Sequence, residues 1–380
     1  MNLLSIIDEL EELLQAGGTL THKQMFVGLD GYVDRIQKVV QSQADLKNKY
    51  FDNISALAER IGQAAGKSAQ LELVNQTIKA GGNAPIMAHA LGRLGLSNHC
   101  LGNFGEDSIH PVFQSMSENC TLLSLGNPAE TNALEFDDGK LILSEVSAFS
   151  KLDWNYVLQK YSANYLSELM DSMDMLAFVD WCNLPLATNI WQGVLKDILP
   201  KLDTSRKRQY FFDLADPSKK SVTEIINVME VMSAYNTYGP VTLGLNENEA
   251  YRLAQALMSI ESKAIAASMP LEDICQYIFD RMKISFLLVH PLDRTLIVSK
   301  EGIQNIKGRL VKKPRISTGG GDNLNAGFCF ARLAGCSTGA AAVLGMATSG
   351  AYVQEGQSPD LMQLKAYLEK WKAELSFAKL

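Results

Sequence analysis

The sequence predicts an α/β protein built on a mostly parallel sheet, and three observations carry that expectation. Apolar runs of strand length alternate with stretches of helical period, separated by glycine stops. Glycines run directly into helical stretches at two places, Gly81-Gly82 and Gly319-Gly320-Gly321. An alternating pattern around Asp137-Asp138-Gly139 reads as a β-hairpin that interrupts the series, so it belongs outside the main sheet.

The 380 residues are 47% hydrophobic and 20% charged, enough for a sizeable core in two domains or one large domain with an appendage. A net charge of −7 argues against nucleic acid as partner but not against a small phosphorylated ligand, which needs only a local positive field. No apolar run approaches the roughly 20 residues needed to span a bilayer. The Leu-rich start, Met1 to Gln15, is broken by Asp8, Glu9, Glu11 and Glu12 and reads as an amphipathic helix, not a signal peptide. Six scattered cysteines show no metal spacing, so reduced thiols and a cytoplasmic protein are expected.

In chain order, Met25 to Leu29 reads as a buried strand ending in Asp30-Gly31-Tyr32-Val33-Asp34. Carboxylates just past a strand end sit where open α/β sheets bind ligands, although an Asp-Gly turn explains them equally. Residues Ile36 to Lys79 are polar with a mostly helical pattern and look like an excursion from the core. At Gly81-Gly82-Asn83-Ala84-Pro85, Asn83 reads as an N-cap and Pro85 suits the first turn of a helix closed by Gly95. Strands follow at Asn98–Gly102, Met175–Val179, Tyr210–Phe212, Pro240–Leu245 and Ser285–His290, and Ala340 to Val353 is a buried, nearly uncharged helix.

The stretch Thr318-Gly319-Gly320-Gly321-Asp322 leads into a helix through Leu324, Phe328 and Ala331. Its unpaired N–H groups and the positive end of the helix dipole would attract phosphate. A carboxylate there would repel phosphate, so Asp322 is either a base that takes a proton from an attacking hydroxyl or a plain helix cap.

Three ordered pieces resemble one family: Gly81-Gly82-Asn83 with its helix, Asn246-x-x-Glu249, and Thr318-Gly-Gly-Gly-Asp322 with Asn325-Ala326-Gly327-Phe328. They are similar to the ribokinase-like (PfkB) carbohydrate kinases. The resemblance implies a three-layer sandwich with a mostly parallel central sheet and a small β-lid. It divides the chain into an N-terminal helical extension (1–24), a kinase domain (25–357, lid segments near 36–79 and 121–150) and a C-terminal helix (358–380). It further implies transfer of the γ-phosphoryl group of ATP to a hydroxyl of a sugar or related polyol. Asp322 would be the base, with the N–H groups of Gly319, Gly320 and Gly321 as the anion hole. Asn246, Glu249, Thr318, His290 and Asn325 would serve the nucleotide, Glu249 holding Mg²⁺ largely through water. Asp30 or Asp34, with Gly82 and Asn83, would hold the acceptor, and the lid is expected to mediate a homodimer.

Two departures stand out. Ile316 occupies the place of an acidic residue linked to a monovalent-cation site, and His290-Pro291-Leu292-Asp293-Arg294-Thr295 lacks the usual glycines beside the nucleotide. The alternatives are a nucleoside kinase of the same superfamily and a non-catalytic ligand-binding relative. His89 and His99 are expected to be packed or surface residues and Trp154, Trp181 and Trp191 core residues, with Trp181 and Asn183 at most minor acceptor contacts.

Overall fold

The computed structural model describes residues 3–15, 20, 22–44, 47–258, 268–316 and 318–377. Its strands are β1 (Gln24–Gly28), β2 (Tyr32–Ala44), β3 (Lys47–Tyr50), β4 (Leu73–Gly81), β5 (Ser97–Gly102), β6 (Cys120–Ser124) and β7 (Ala129–Phe136). The remainder are β8 (Gly139–Glu145), β9 (Met175–Phe178), β10 (Gln209–Asp213), β11 (Val241–Asn246), β12 (Phe286–His290), β13 (Arg294–Ser299) and β14 (Gly302–Lys307). The main sheet runs β14-β13-β12-β11-β10-β9-β1-β5-β6. From β12 to β6 every pairing is parallel, while β13 and β14 form an antiparallel edge. This is the expected α/β sandwich.

Its strands are almost continuously apolar because helices cover both faces. Alternate residues serve opposite cores. Phe26, Phe178, Phe212 and Leu243 join the first core, where Trp191 and Phe212 pack with ring centroids 4.9 Å apart. Met25, Val27, Ala177, Phe211 and Leu288 join the second, under the helices Asn83–Arg93, Gly320–Leu333 and Thr338–Glu355. The last two helices approach closely through small residues. A Cβ on Gly345 would stand 2.8 Å from the Leu324 carbonyl oxygen. The N-terminal helix Leu3–Gln15 buries Ile7 and Leu10 in this second core, and Lys372 of the helix Leu361–Phe377 bonds its Glu11 at 2.8 Å.

The second sheet runs β3-β2-β7-β8, with β4 paired to β2. The helical reading of residues 36–79 is corrected here, since only Ile54–Gly62 is helical and β2 and β4 take most of the rest. Exposed polar residues hid the two-residue alternation. Cross-strand pairing of Ile36 with Thr77 and of Arg35 with Ile78, three of the four β-branched and suited to strands, decides the outcome. A separate small core of Val39, Phe51, Leu57 and Leu134 holds the excursion together.

Candidate active site

The C-terminal ends of the parallel strands converge on one rim, as open α/β sheets dictate. Asp30 follows β1, Asp180 follows β9, and Asp213, Asn246 and His290 end β10, β11 and β12. The helix Gly320–Leu333 starts among them. Its N-cap is Gly319, whose φ of 90° suits glycine, and no side chain caps it. Asp322 therefore does not cap the helix. It stands half-buried in the first turn, next to Gly321. Burial, then repulsion from Asp213, Asp30 and Glu249, holds its carboxyl well above the usual carboxylate range.

The Asn83 helix corrects a second expectation. Gly82 is the cap residue, with φ 100° and no capping side chain, and Asn83 is the first helical residue. The capping oxygens come from a distant strand end: Asp30 accepts from the N–H groups of Asn83 and Ala84, each at 2.7 Å. Asp34 instead packs against Gly81, accepts a hydrogen bond from Thr131 and lies near Lys79. The glycine pair is thereby explained. A Cβ on Gly81 would be driven into the Asp34 carboxylate, and one on Gly82 would stand 2.5 Å from Asp30 Oδ2.

Asn246 and Glu249 form a reciprocal capping box. The Glu249 N–H donates to Asn246 Oδ1 at 2.9 Å, and the Asn246 N–H donates to Glu249 Oε2 at 2.8 Å. Burial and the neighbouring Asp213 push the Glu249 pKa up to about 8. The same helix cap delivers a carboxylate to the rim.

Beside it opens a cleft of about 820 Å³, bounded by Asn246, Tyr251, His290, Gly320, Gly321 and Ser349. His290 lies against Gly321, and burial lowers its pKa to about 4, so its imidazole is neutral. Ile316 lines the cleft from the opposite side. Neither Thr318 nor Asn325 lines this cleft. Thr318 is exposed and its carbonyl accepts from the Tyr352 hydroxyl at 2.8 Å, while the Asn325 amide turns inward to Asp213 at 2.8 Å.

Asp213 and Asp180 are the rim carboxylates that sequence reasoning did not assign. Their signal was a lone acid after an apolar strand, which many turns share. His89 accepts from the Ser117 N–H, and Trp154, Trp181 and Trp191 are buried, as expected for packing residues. All six cysteines are free. No helix among the described residues is long and apolar enough to cross a membrane.

Against this geometry, comparison with known proteins is specific. A family model for prokaryotic ketohexokinases matches residues 9–371. The chain is 26% identical over 348 residues to a ketohexokinase of Haloferax volcanii, covering 90% of each. Among solved structures, ribokinase from Thermotoga maritima superposes with a TM-score of 0.63 at 16% identity, covering 92% of this chain and 100% of that one. Adenosine kinase from Sinorhizobium meliloti superposes with a TM-score of 0.60 at 15% identity, covering 92% and 99%. These likenesses carry the fold.

Proposed function

The chain belongs to the prokaryotic ketohexokinase family, and from that premise we propose that a ketohexose is the acceptor of its sugar-kinase activity. The resemblance drawn from three short motifs is thus borne out, and the protein is an ATP-dependent sugar kinase.

The observation that carries the mechanism is the placement of Asp322 at the turn where the Gly319–Gly321 backbone, the cleft and the rim carboxylates meet. Asp322 takes the proton of the acceptor hydroxyl as its oxygen attacks the γ-phosphoryl group. The first N–H groups of the Gly320 helix receive the negative charge that develops on the transferred oxygens. Asp34 and the Asn83 side chain orient the acceptor, while Asn246 and the neutral His290 border the nucleotide. Asp30 is assigned to the Asn83 helix start and not to the sugar, because it is completely buried and its carboxylate caps that helix.

Mg²⁺ is supported by the charge balance of the rim: burial raises the pKa values of Asp213, Glu249 and Asp322, and for Glu249 and Asp322 repulsion from neighbouring carboxylates adds to it, which a cation relieves. Among the described residues no three acidic, His or Cys side chains converge as a metal-binding group. A Mg²⁺ held near Glu249 mainly by water and phosphate oxygens agrees with that, and when bound it neutralises phosphate charge. Six free thiols and ATP as donor support a cytoplasmic enzyme.

The test is ADP release with Mg-ATP across ketohexoses, aldohexoses, sugar phosphates and nucleosides, with Asp322→Asn in parallel. We expect turnover on a ketohexose, reduced by about 10²–10⁴-fold in Asp322→Asn with ATP binding retained. A preference for nucleosides would overturn the acceptor, and near-normal turnover in the variant would overturn the base.

A further inference from the structure

Asp30 and Asp180 are both completely buried, at 0% exposure, and their side chains are hydrogen-bonded to each other. Parallel pairing of β1 with β9, Gly28 opposite Phe178, brings the two strand ends together. Among the described residues neither carboxyl has an ion-pair partner. Two carboxylates in such contact cannot both be charged, so one proton must lie between them. The remaining bonds say where. Asp30 uses its oxygens as acceptors for the N–H groups of Asn83 and Ala84, at the positive end of a helix, which favours the anion. Asp180 lies near Asp213 as a further carboxylate, and although it precedes the short 3₁₀ turn Trp181–Asn183, its side chain accepts no capping hydrogen bond there. It is held by Asn183, whose Nδ2 donates to Oδ1 at 2.5 Å, and Asn183 Oδ1 accepts from Lys219 at 2.8 Å. The Tyr32 hydroxyl reaches Oδ2 at 3.3 Å. Asp180 also adopts a left-handed backbone, φ 59°, a conformation seldom kept by a non-glycine residue unless its surroundings enforce it.

We propose that Asp180 is a protonated carboxyl that donates to the Asp30 carboxylate, and that this one-proton pair positions the Gly82–Asn83 junction for the acceptor. The order of their shifts agrees, burial raising Asp30 to about 7 and Asp180 further still. Asp180 is a positioning residue: it acts on the sugar through Asp30 and the first turn of the Asn83 helix. The proposal rests on the reading that this junction faces the acceptor.

Three measurements test it on the full chain. Asp180→Asn keeps a donor toward Asp30, so its acceptor KM stays within about threefold of the parent, whereas Asp180→Ala raises acceptor KM at least about tenfold and leaves ATP KM and kcat nearly unchanged. If the alanine variant does not fold, Asp180→Ser, one bond too short to reach Asp30, takes its place. The infrared carbonyl stretch of a protonated carboxyl is present in the parent at neutral pH and lost from the difference spectrum against Asp180→Asn. Equal damage in the asparagine and alanine variants, an unchanged acceptor KM in both, or no infrared difference would overturn the proposal. The infrared result stands without turnover, so failure of the sugar-kinase reading and failure of the pair are told apart.

Discussion

At the scale of single residues, the junction proposed to face the acceptor holds two backbone positions, Gly81 and Gly82, that tolerate no side chain. Gly82→Ala puts a methyl against Asp30 Oδ2 at a φ of 100°, where alanine is strained. We expect a loss of stability of about 1–3 kcal/mol. Acceptor KM should rise while ATP KM holds, which steady-state kinetics with each substrate varied would check. Unchanged acceptor KM would remove the junction from the sugar. The sequence made Asp322, Gly82, Asn246 and Glu249 legible because their neighbours share a motif. Asp180 and Asp213 carried no such mark: their partners, Asp30 and Asn325, lie 150 and 112 positions away. The same distance explains why Asn83 read as a cap, when the capping oxygens belong to Asp30.

At the scale of elements, the main-sheet strands could be read from apolar runs between glycine stops, since a strand buried on both faces has little else to show. The small sheet could not, because its outer face is polar and its inner core is only a few side chains. That sheet leaves Ile78 of β4 and Ile142 and Leu143 of β8 about half exposed. We propose that a second copy of the chain covers them, as expected of a lid-mediated homodimer. Sedimentation should show a dimer that Ile142→Glu dissociates, with the Asn83 and Gly320 helices undisturbed. A parent that sediments as a monomer at micromolar concentration would exclude this.

At the scale of the whole molecule, stability should answer to pH in two opposed ways. The imidazole of His290 is held neutral in the fold, near pKa 4, against about 6.5 when unfolded. Above pH 6.5 both states are neutral and nothing is lost. Between about 6.5 and 4 the unfolded chain takes up the proton first, and the fold loses up to about 3 kcal/mol. The rim carboxylate Glu249 acts with the other sign: with its pKa near 8, ionisation of the unfolded chain withdraws stability as pH rises from about 4. Denaturant melts of the parent and His290→Asn should therefore diverge below pH 6.5 and run parallel above it; parallel curves throughout would mean that the imidazole is not held neutral. One connection has a wider consequence. β2 departs just after Asp30-Gly31 and β4 returns directly into Gly81-Gly82, so the small sheet is rooted at the two junctions proposed to flank the sugar. In that reading, any rotation of the sheet would turn Asp34 and the Gly82 corner together, as the jaws of tweezers turn about a pivot. Grip and gate would then be one lever, with the pace of product escape tied to the hinge that seized the sugar.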